Sequence, residues 1–242
     1  MHCKEMEKIM KILGIDSSGL VASAAIVVDD TLVAEFTINN KQTHSQTLLP
    51  MIEKVVEMSG VALEELDGIA VAAGPGSFTG LRIGASTAKG MALALKKPVI
   101  SVPTLEGMAY RMAVVDGTIC PLMDARRNQV YTGIYQMQEG KLTCLLEQTA
   151  VDISEVIDKV NEIGRNVVFL GDGVPVHQQT LEQMTKVPYQ FAPLHMNRQS
   201  AAAVAALGKI YLAEGKVEEA GEHKPIYLRK SQAEREREKK GL

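Results

Sequence analysis

The feature that most constrains the fold is a strand triplet followed by alternating helices and strands, met twice along one chain. "KILGID" (11–16) reads as a short apolar strand, and "VASAAIVV" (21–28), the turn "DD" and "TLVAEFTI" (31–38) read as a β-hairpin. A helix follows over 43–60, closed by Gly60, then a buried strand at 68–74, a helix at 80–95 and a strand at 98–102. After the helical stretch "TLEGMAYRMAV", a second triplet appears at 118–125, 129–137 and 141–148. It is followed by a helix at 152–164, a strand at 166–171, and helices at 176–184 and 200–215. The halves share element order but no legible residue repeat. Hairpin-linked strands followed by α/β units predict an α/β protein in which each half is a mixed sheet with helices on its faces.

Bulk chemistry narrows the functional classes. The 242 residues carry a net charge of −3 and no Trp, with only 4% aromatic residues. A polyanion-binding chain would be basic, and a single-strand binder would need stacking platforms. Three scattered cysteines, Cys3, Cys120 and Cys144, suit a reducing compartment and no disulfide framework. No run approaches the ~18 apolar residues of a membrane span. Charged residues interrupt the first sixteen positions, which do not read as a secretion signal. A cytoplasmic protein without a membrane association is expected. Residues 1–8 read as a loose extension and 231–242 as a charge-dense tail.

"GPGSFTGLRIG" (74–84) raises the question of a phosphate loop, because a helix N-terminus after a glycine turn favours an anion. Its spacing matches neither common fingerprint. The fifth position after Gly74 is Thr79 and no lysine follows, and Gly74, Gly76 and Thr79 miss the dinucleotide pattern by one residue. Glycines serving a sharp turn and a close helix–strand approach are the favoured reading. With ~100° between successive residues, Arg82, Ser86 and Lys89 share one narrow side of the next helix. The remaining circumference is apolar or small, with Gly80, Gly84, Ala88 and Ala92 recurring every four positions. Helix 43–58 shows a similar surplus in Leu48, Leu49, Met51, Ile52, Val55, Val56 and Met58, either wedged into the core or docked on another protein. Pro50 either kinks this helix or marks its first turn.

Other candidates are weaker. Asp16 with Ser17 and Ser18 reads either as a turn cap or as one side of a phosphate loop, together with Gly74, Gly76 and Ser77. Asp124 and Arg126 read as an internal ion pair in preference to a ligand site. His44 has no Ser or Cys nucleophile legible beside it, and His177, His195 and His223 show no ligand spacing. "FLGDGVPV" (169–176) is a weak candidate for a second glycine-rich phosphate segment.

"ILGIDSS", "THSQTLLPMIEKV", "AVAAGPGSFTGLRIGASTAKGMAL", "VPTLEGMA", "LMDARRNQVYTGIY" and "PIYLR" together resemble the TsaB (YeaZ) family. These are tRNA threonylcarbamoyladenosine biosynthesis proteins of the glycoprotease-like class, and the likeness runs from Lys11 to Arg229. The resemblance implies a two-lobed, actin-like ATPase fold of the RNase H type. The expected lobes are 1–105 and 106–230, with helix 200–215 packing back on the first and 231–242 as the tail. The catalytic paralogue TsaD carries a metal on two histidines four residues apart; the matching positions here are Thr104 and Met108, so neither a metal nor a catalytic residue is expected. The implied role is a non-catalytic scaffold that binds TsaD, with TsaE as ATPase, for threonylcarbamoyl transfer to adenosine N6 in tRNA. The partner surface is expected at Leu48, Leu49, Ile52, Val55, Val56, Gly84, Ala88 and Ala92. No tightly bound cofactor is expected, with ATP or ADP at most at a shared interface. tRNA is met only through the complex, and self-pairing into a homodimer is left open. The rival reading is a free-standing actin-like ATPase or kinase.

Overall fold

The computed structural model describes residues 9–40 and 42–229; the expected extension at 1–8 and tail at 231–242 lie outside the described residues. The first sheet comprises β1 (Lys11–Asp16), β2 (Ala22–Val28), β3 (Thr31–Ile38), β4 (Gly68–Gly74) and β5 (Val99–Pro103), in the order β3-β2-β1-β4-β5. The second comprises β6 (Thr118–Asp124), β7 (Gln129–Gln138), β8 (Lys141–Asp152), β9 (Val167–Leu170) and β10 (Tyr189–Phe191), in the order β10-β9-β6-β7-β8. Read from the other edge, the second sheet repeats the first with every strand number raised by five. Directions repeat as well. β1 lies antiparallel to β2 and parallel to β4, as β6 lies antiparallel to β7 and parallel to β9. The echoed halves are one architecture built twice, a two-lobed α/β fold.

Among the described residues, six α-helices complete the lobes: α1 (His44–Ser59), α2 (Phe78–Leu95), α3 (Thr104–Tyr110), α4 (Ile153–Ile163), α5 (Gly173–Met184) and α6 (Ala201–Ala213). β1 and β4 are covered on both faces, which is why they read as continuous apolar runs. Successive side chains point to opposite faces. Leu13 and Ile15 meet α1 and α2, whereas Ile12 and Ala70 meet α6 through Val204 and Ala205. Alanine and glycine let α6 lie close, and a side chain at Gly14 would collide with the Ala201 carbonyl. The second sheet packs α4 and α5 on one face through Val156, Ile157 and Leu181, and α3 on the other through Leu105 and Met108. Helices α3 and α6 touch each other and form the layer between the sheets.

Helix α6 returns to the first lobe as expected of 200–215, but the chain after it does too. Residues 218–227, expected with the second lobe, run along β5 and α2 of the first. β10 was not legible because it has three residues, one of them Gln190. Pro50 lies well inside α1, past its first turn, on an exposed side.

The expected partner stripe divides. Leu48, Ile52, Val55, Ala88 and Ala92 are buried in the core of the first lobe, and Gly84 is buried with Ser17 and Val71 above it. These six are core residues and present no surface. Val56 is half-buried against the same core. The physical reason is that α1 and α2 lean on each other as well as on the sheet, so each buries more than one face. Leu49 remains, 60% exposed, joined by Met58 at 68% and Leu93 at 74%, neither of them among the residues expected at the partner surface.

Candidate functional site between the lobes

Four central strands deliver their C-terminal ends to one cleft of about 570 Å³. In open α/β sheets this is where ligands bind. Ser18, Gly19, Gly76, Ser77 and Thr79 line it from the first lobe; Asp124, Ala125, Arg126, Tyr131 and Asp172 line it from the second, with Arg229 at its edge.

The turn after β1 is locked from within. The buried Asp16 carboxylate accepts the Ser18 backbone N–H at 2.9 Å and the Ser18 hydroxyl at 2.7 Å. Burial pushes its pKa up to about 6, against the pull of the two Ser18 bonds and of His44. Ser17 Oγ donates to the Gly80 carbonyl at 2.8 Å, and Ser77 N–H donates to the Ser18 carbonyl at 2.7 Å. Ser77 Oγ caps α2, accepting from Gly80 N–H at 3.3 Å. A side chain at Gly76 would overlap the Ser18 carbonyl, one at Gly80 the Ser17 carbonyl, and one at Gly84 the Ser17 hydroxyl. The glycines are therefore there so that residues 17–18 can lie against the loop and helix. All six expected phosphate-side residues come together, but only Ser18, Gly76 and Ser77 line the cleft. Asp16 and Ser17 are turned into the packing, and the Gly74 amide donates to Thr104 Oγ1 at 3.1 Å.

Because the folded chain favours protonated Asp16, the sign of its pH effect follows. Its contribution to stability is full below the ordinary carboxylate value of 3.8 and is lost as pH rises through about 6. Asp16→Asn keeps an oxygen for both Ser18 donors. It is expected to stabilise the protein by on the order of 1–3 kcal/mol at pH 7.5 and by little at pH 4. Urea unfolding at the two pH values checks this; an equal effect at both removes the buried charge from the account.

The second lobe supplies a tight basic hairpin. Arg126, Arg127 and Asn128 all adopt left-handed backbone, with φ of 64°, 56° and 62°. Such a run without glycine is strained, and strain of this kind gathers at functional sites. Ala125 N–H donates to the Gln129 carbonyl at 2.9 Å, and Asn128 Nδ2 donates to Asp152 Oδ2 at 2.8 Å. The expected Asp124–Arg126 ion pair is not what forms. Asp124 Oδ1 accepts the Arg126 backbone N–H at 2.7 Å, and Arg126, itself exposed, lines the cleft. Asp172 accepts the Asp124 N–H at 3.2 Å, and burial raises its pKa.

The lobes also match residue by residue here, which the linear sequence hid. Asp16 ends β1 as Asp124 ends β6, and a Gly-x-Gly turn, Gly74-Pro75-Gly76, closes β4 as Gly171-Asp172-Gly173 comes directly after β9. Gly74 and Gly171 share positive φ values of 119° and 111°. "FLGDGVPV" thus does reach the cleft. Arg229 was missed, since no local pattern points to it. A serine–histidine–acid grouping exists elsewhere, but Ser101 Oγ at 2.7 Å and Glu218 at 3.3 Å both meet Nδ1 of His223. A nucleophile relay uses the two ring nitrogens separately.

Comparison with known proteins places this geometry. The family model for TsaD, tRNA N6-adenosine threonylcarbamoyltransferase, matches residues 31–237. The tRNA threonylcarbamoyladenosine biosynthesis protein TsaB of Bacillus subtilis is 36% identical over 227 residues, covering 93% of this chain and 96% of that one. The chain belongs to the TsaB family. TsaB of Escherichia coli is 34% identical over 167 residues, 68% of this chain and 72% of that protein. A solved Pseudomonas aeruginosa structure, described as an uncharacterised protein with similarity to peptidase YeaZ, superposes with a TM-score of 0.79 at 28% identity. It covers 91% of this chain and 100% of that one, and confirms the two-lobed fold.

Within this TsaB-family chain, the two positions that the resemblance sets against metal ligands of TsaD do not fit a metal. Thr104 is buried, its hydroxyl holding the Gly74 amide. Met108 is buried among Leu105, Ile119 and Leu170. A thioether in an apolar core and an engaged hydroxyl are poor ligands beside imidazole. Among the described residues, no group of three His, Cys, Asp or Glu side chains comes together as a metal set.

Proposed function

We propose that this chain is a non-catalytic scaffold subunit that binds TsaD, with TsaE, for threonylcarbamoyl transfer to adenosine N6 in tRNA. The observation that carries the reading is the build of Thr104 and Met108 into the interior at positions the resemblance matches to catalytic metal ligands. The exposed apolar side chains Leu49, Met58 and Leu93 on α1 and α2 supply a partner surface, open to TsaD or to a second copy of this chain. tRNA, ATP and ADP engage the assembly, in the cytoplasm, and this acidic chain holds none of them tightly by itself. No helix among the described residues is long and apolar enough to cross a membrane.

Modified-adenosine formation in a reconstituted mixture tests the reading. The complete mixture is expected to exceed one lacking this chain by about tenfold or more, equivalent to ~1.4 kcal/mol. The chain alone is expected to form no product. One observation favours a second reading, a free-standing ATPase: strand ends from both lobes meet in one cleft that Arg126 also lines. ATP turnover by the lone chain as fast as by the mixture would establish that reading and overturn the first.

A further inference from the structure

The lobes are joined covalently at two places, β5 to α3 and β10 to α6. These crossings are bound to each other. The Arg111 guanidinium, just after α3, donates to the carbonyls of Arg198 at 2.9 Å and His195 at 2.8 Å, just before α6. Two adjoining crossings leave a hinge, about which lobes can open and close a cleft.

A third connection lies at the cleft itself and is not covalent. After α6 the chain turns back, and Glu218 pairs antiparallel with Val99 on the edge of the first sheet. Lys89 Nζ holds the His223 carbonyl at 3.1 Å, and the His223 ring meets Ser101 at 2.7 Å. Ile226 N–H donates to the Ala73 carbonyl at 2.7 Å. Tyr227 stacks on Phe78 with ring centres 4.3 Å apart and planes within 6°, and its hydroxyl accepts from Arg82 Nε at 3.4 Å. The polar side of α2, Arg82 and Lys89, is thus the bed of this segment. Every anchor so far belongs to the first lobe. The last one does not: the Arg229 guanidinium donates to the Ala125 carbonyl, in the left-handed hairpin of the second lobe.

We propose that residues 218–229 form a latch that ties the second lobe to the first across the mouth of the cleft and fixes how far the cleft opens. Among the described residues the segment is seated on one lobe and reaches the other through the Arg229 side chain, and both Arg229 and the Ala125 it binds line the cleft. A tie at the cleft wall resists rotation about the hinge, whereas the crossings form the hinge itself. The Arg229 contact can let go without disturbing either core. Tyr227 and Ile226 are about two-fifths exposed, so a partner has access to it.

Hydrogen–deuterium exchange on the full chain tests the latch. Arg229→Met keeps the side-chain stem and removes the donors to Ala125. It is expected to speed exchange about tenfold or more at 75–79 and 125–129, with β1 and β6 unchanged. Tyr227→Ser, which loosens the seat, is expected to do the same more weakly. Unchanged exchange at the cleft overturns the proposal, as does a rise confined to 218–229. Loss of protection in β1 or β6 also overturns it, since the segment would then be part of the global fold and not a latch.

Discussion

Ala88→Glu is expected to leave no folded first lobe. Ala88 is fully buried where α2 meets the first sheet, in the cluster that holds Leu13, Ile15, Ile69 and Val71. A glutamate there adds volume to a closed contact and places a carboxylate where no cation or donor awaits it. An unpaired buried charge costs several kcal/mol, against a total stability of ~5–15 kcal/mol. Thermal unfolding followed by circular dichroism should lose its cooperative transition or fall by about 15 °C or more. Leu93→Glu on the same helix is the control. That side chain is 74% exposed, so its change should stay within about 0.5 kcal/mol. A natural melting temperature for Ala88→Glu would show that α2 turns this side outward.

Gly80→Ala is expected to cost about 2–4 kcal/mol. One methyl group would occupy the space of the Ser17 carbonyl oxygen, so two backbones must separate. Their separation would also break the Ser17 hydroxyl bond to the Gly80 carbonyl. Gly90→Ala supplies the contrast within the same helix. Nothing lies within 4 Å of the added carbon, and the change should stabilise by about 0.5–1 kcal/mol. Urea midpoints of the two variants should therefore move in opposite directions. Equal shifts would mean that helix propensity, not the close approach of residues 17–18, explains the glycines.

Element order was legible, β10 apart, because the longer strands and helices here carry their own period and punctuation. Gly60 and Gly164 close α1 and α4 in left-handed conformation, and Asp152 caps α4 as a box with Glu155. Asp16 and the glycine loop could be named as candidates, with a structural turn as the favoured reading, because a strand, a turn and a helix start lie side by side in sequence. What covers a helix was not. Periodicity shows how much of α2 is apolar, but whether Ala88 meets the sheet or a partner depends on where α1 leans. Arg229 lies 104 positions from the carbonyl it binds, beyond any local signal. The kinship of Asp16 and Asp124 became visible only once both strands were placed, since the residues around them differ.

The return of α6 and the latch to the first lobe has a consequence for synthesis on the ribosome. When β5 has emerged, the first sheet has all its strands, and α1 and α2 cover one face. Its other face, with Ile12, Ala70, Ile100 and Val102, waits for Val204, Ala205 and Leu207. At ~5–20 residues per second, the intervening stretch takes on the order of ten seconds to translate. For that interval the nascent chain carries an uncovered apolar sheet, and the lobe begun first is finished last.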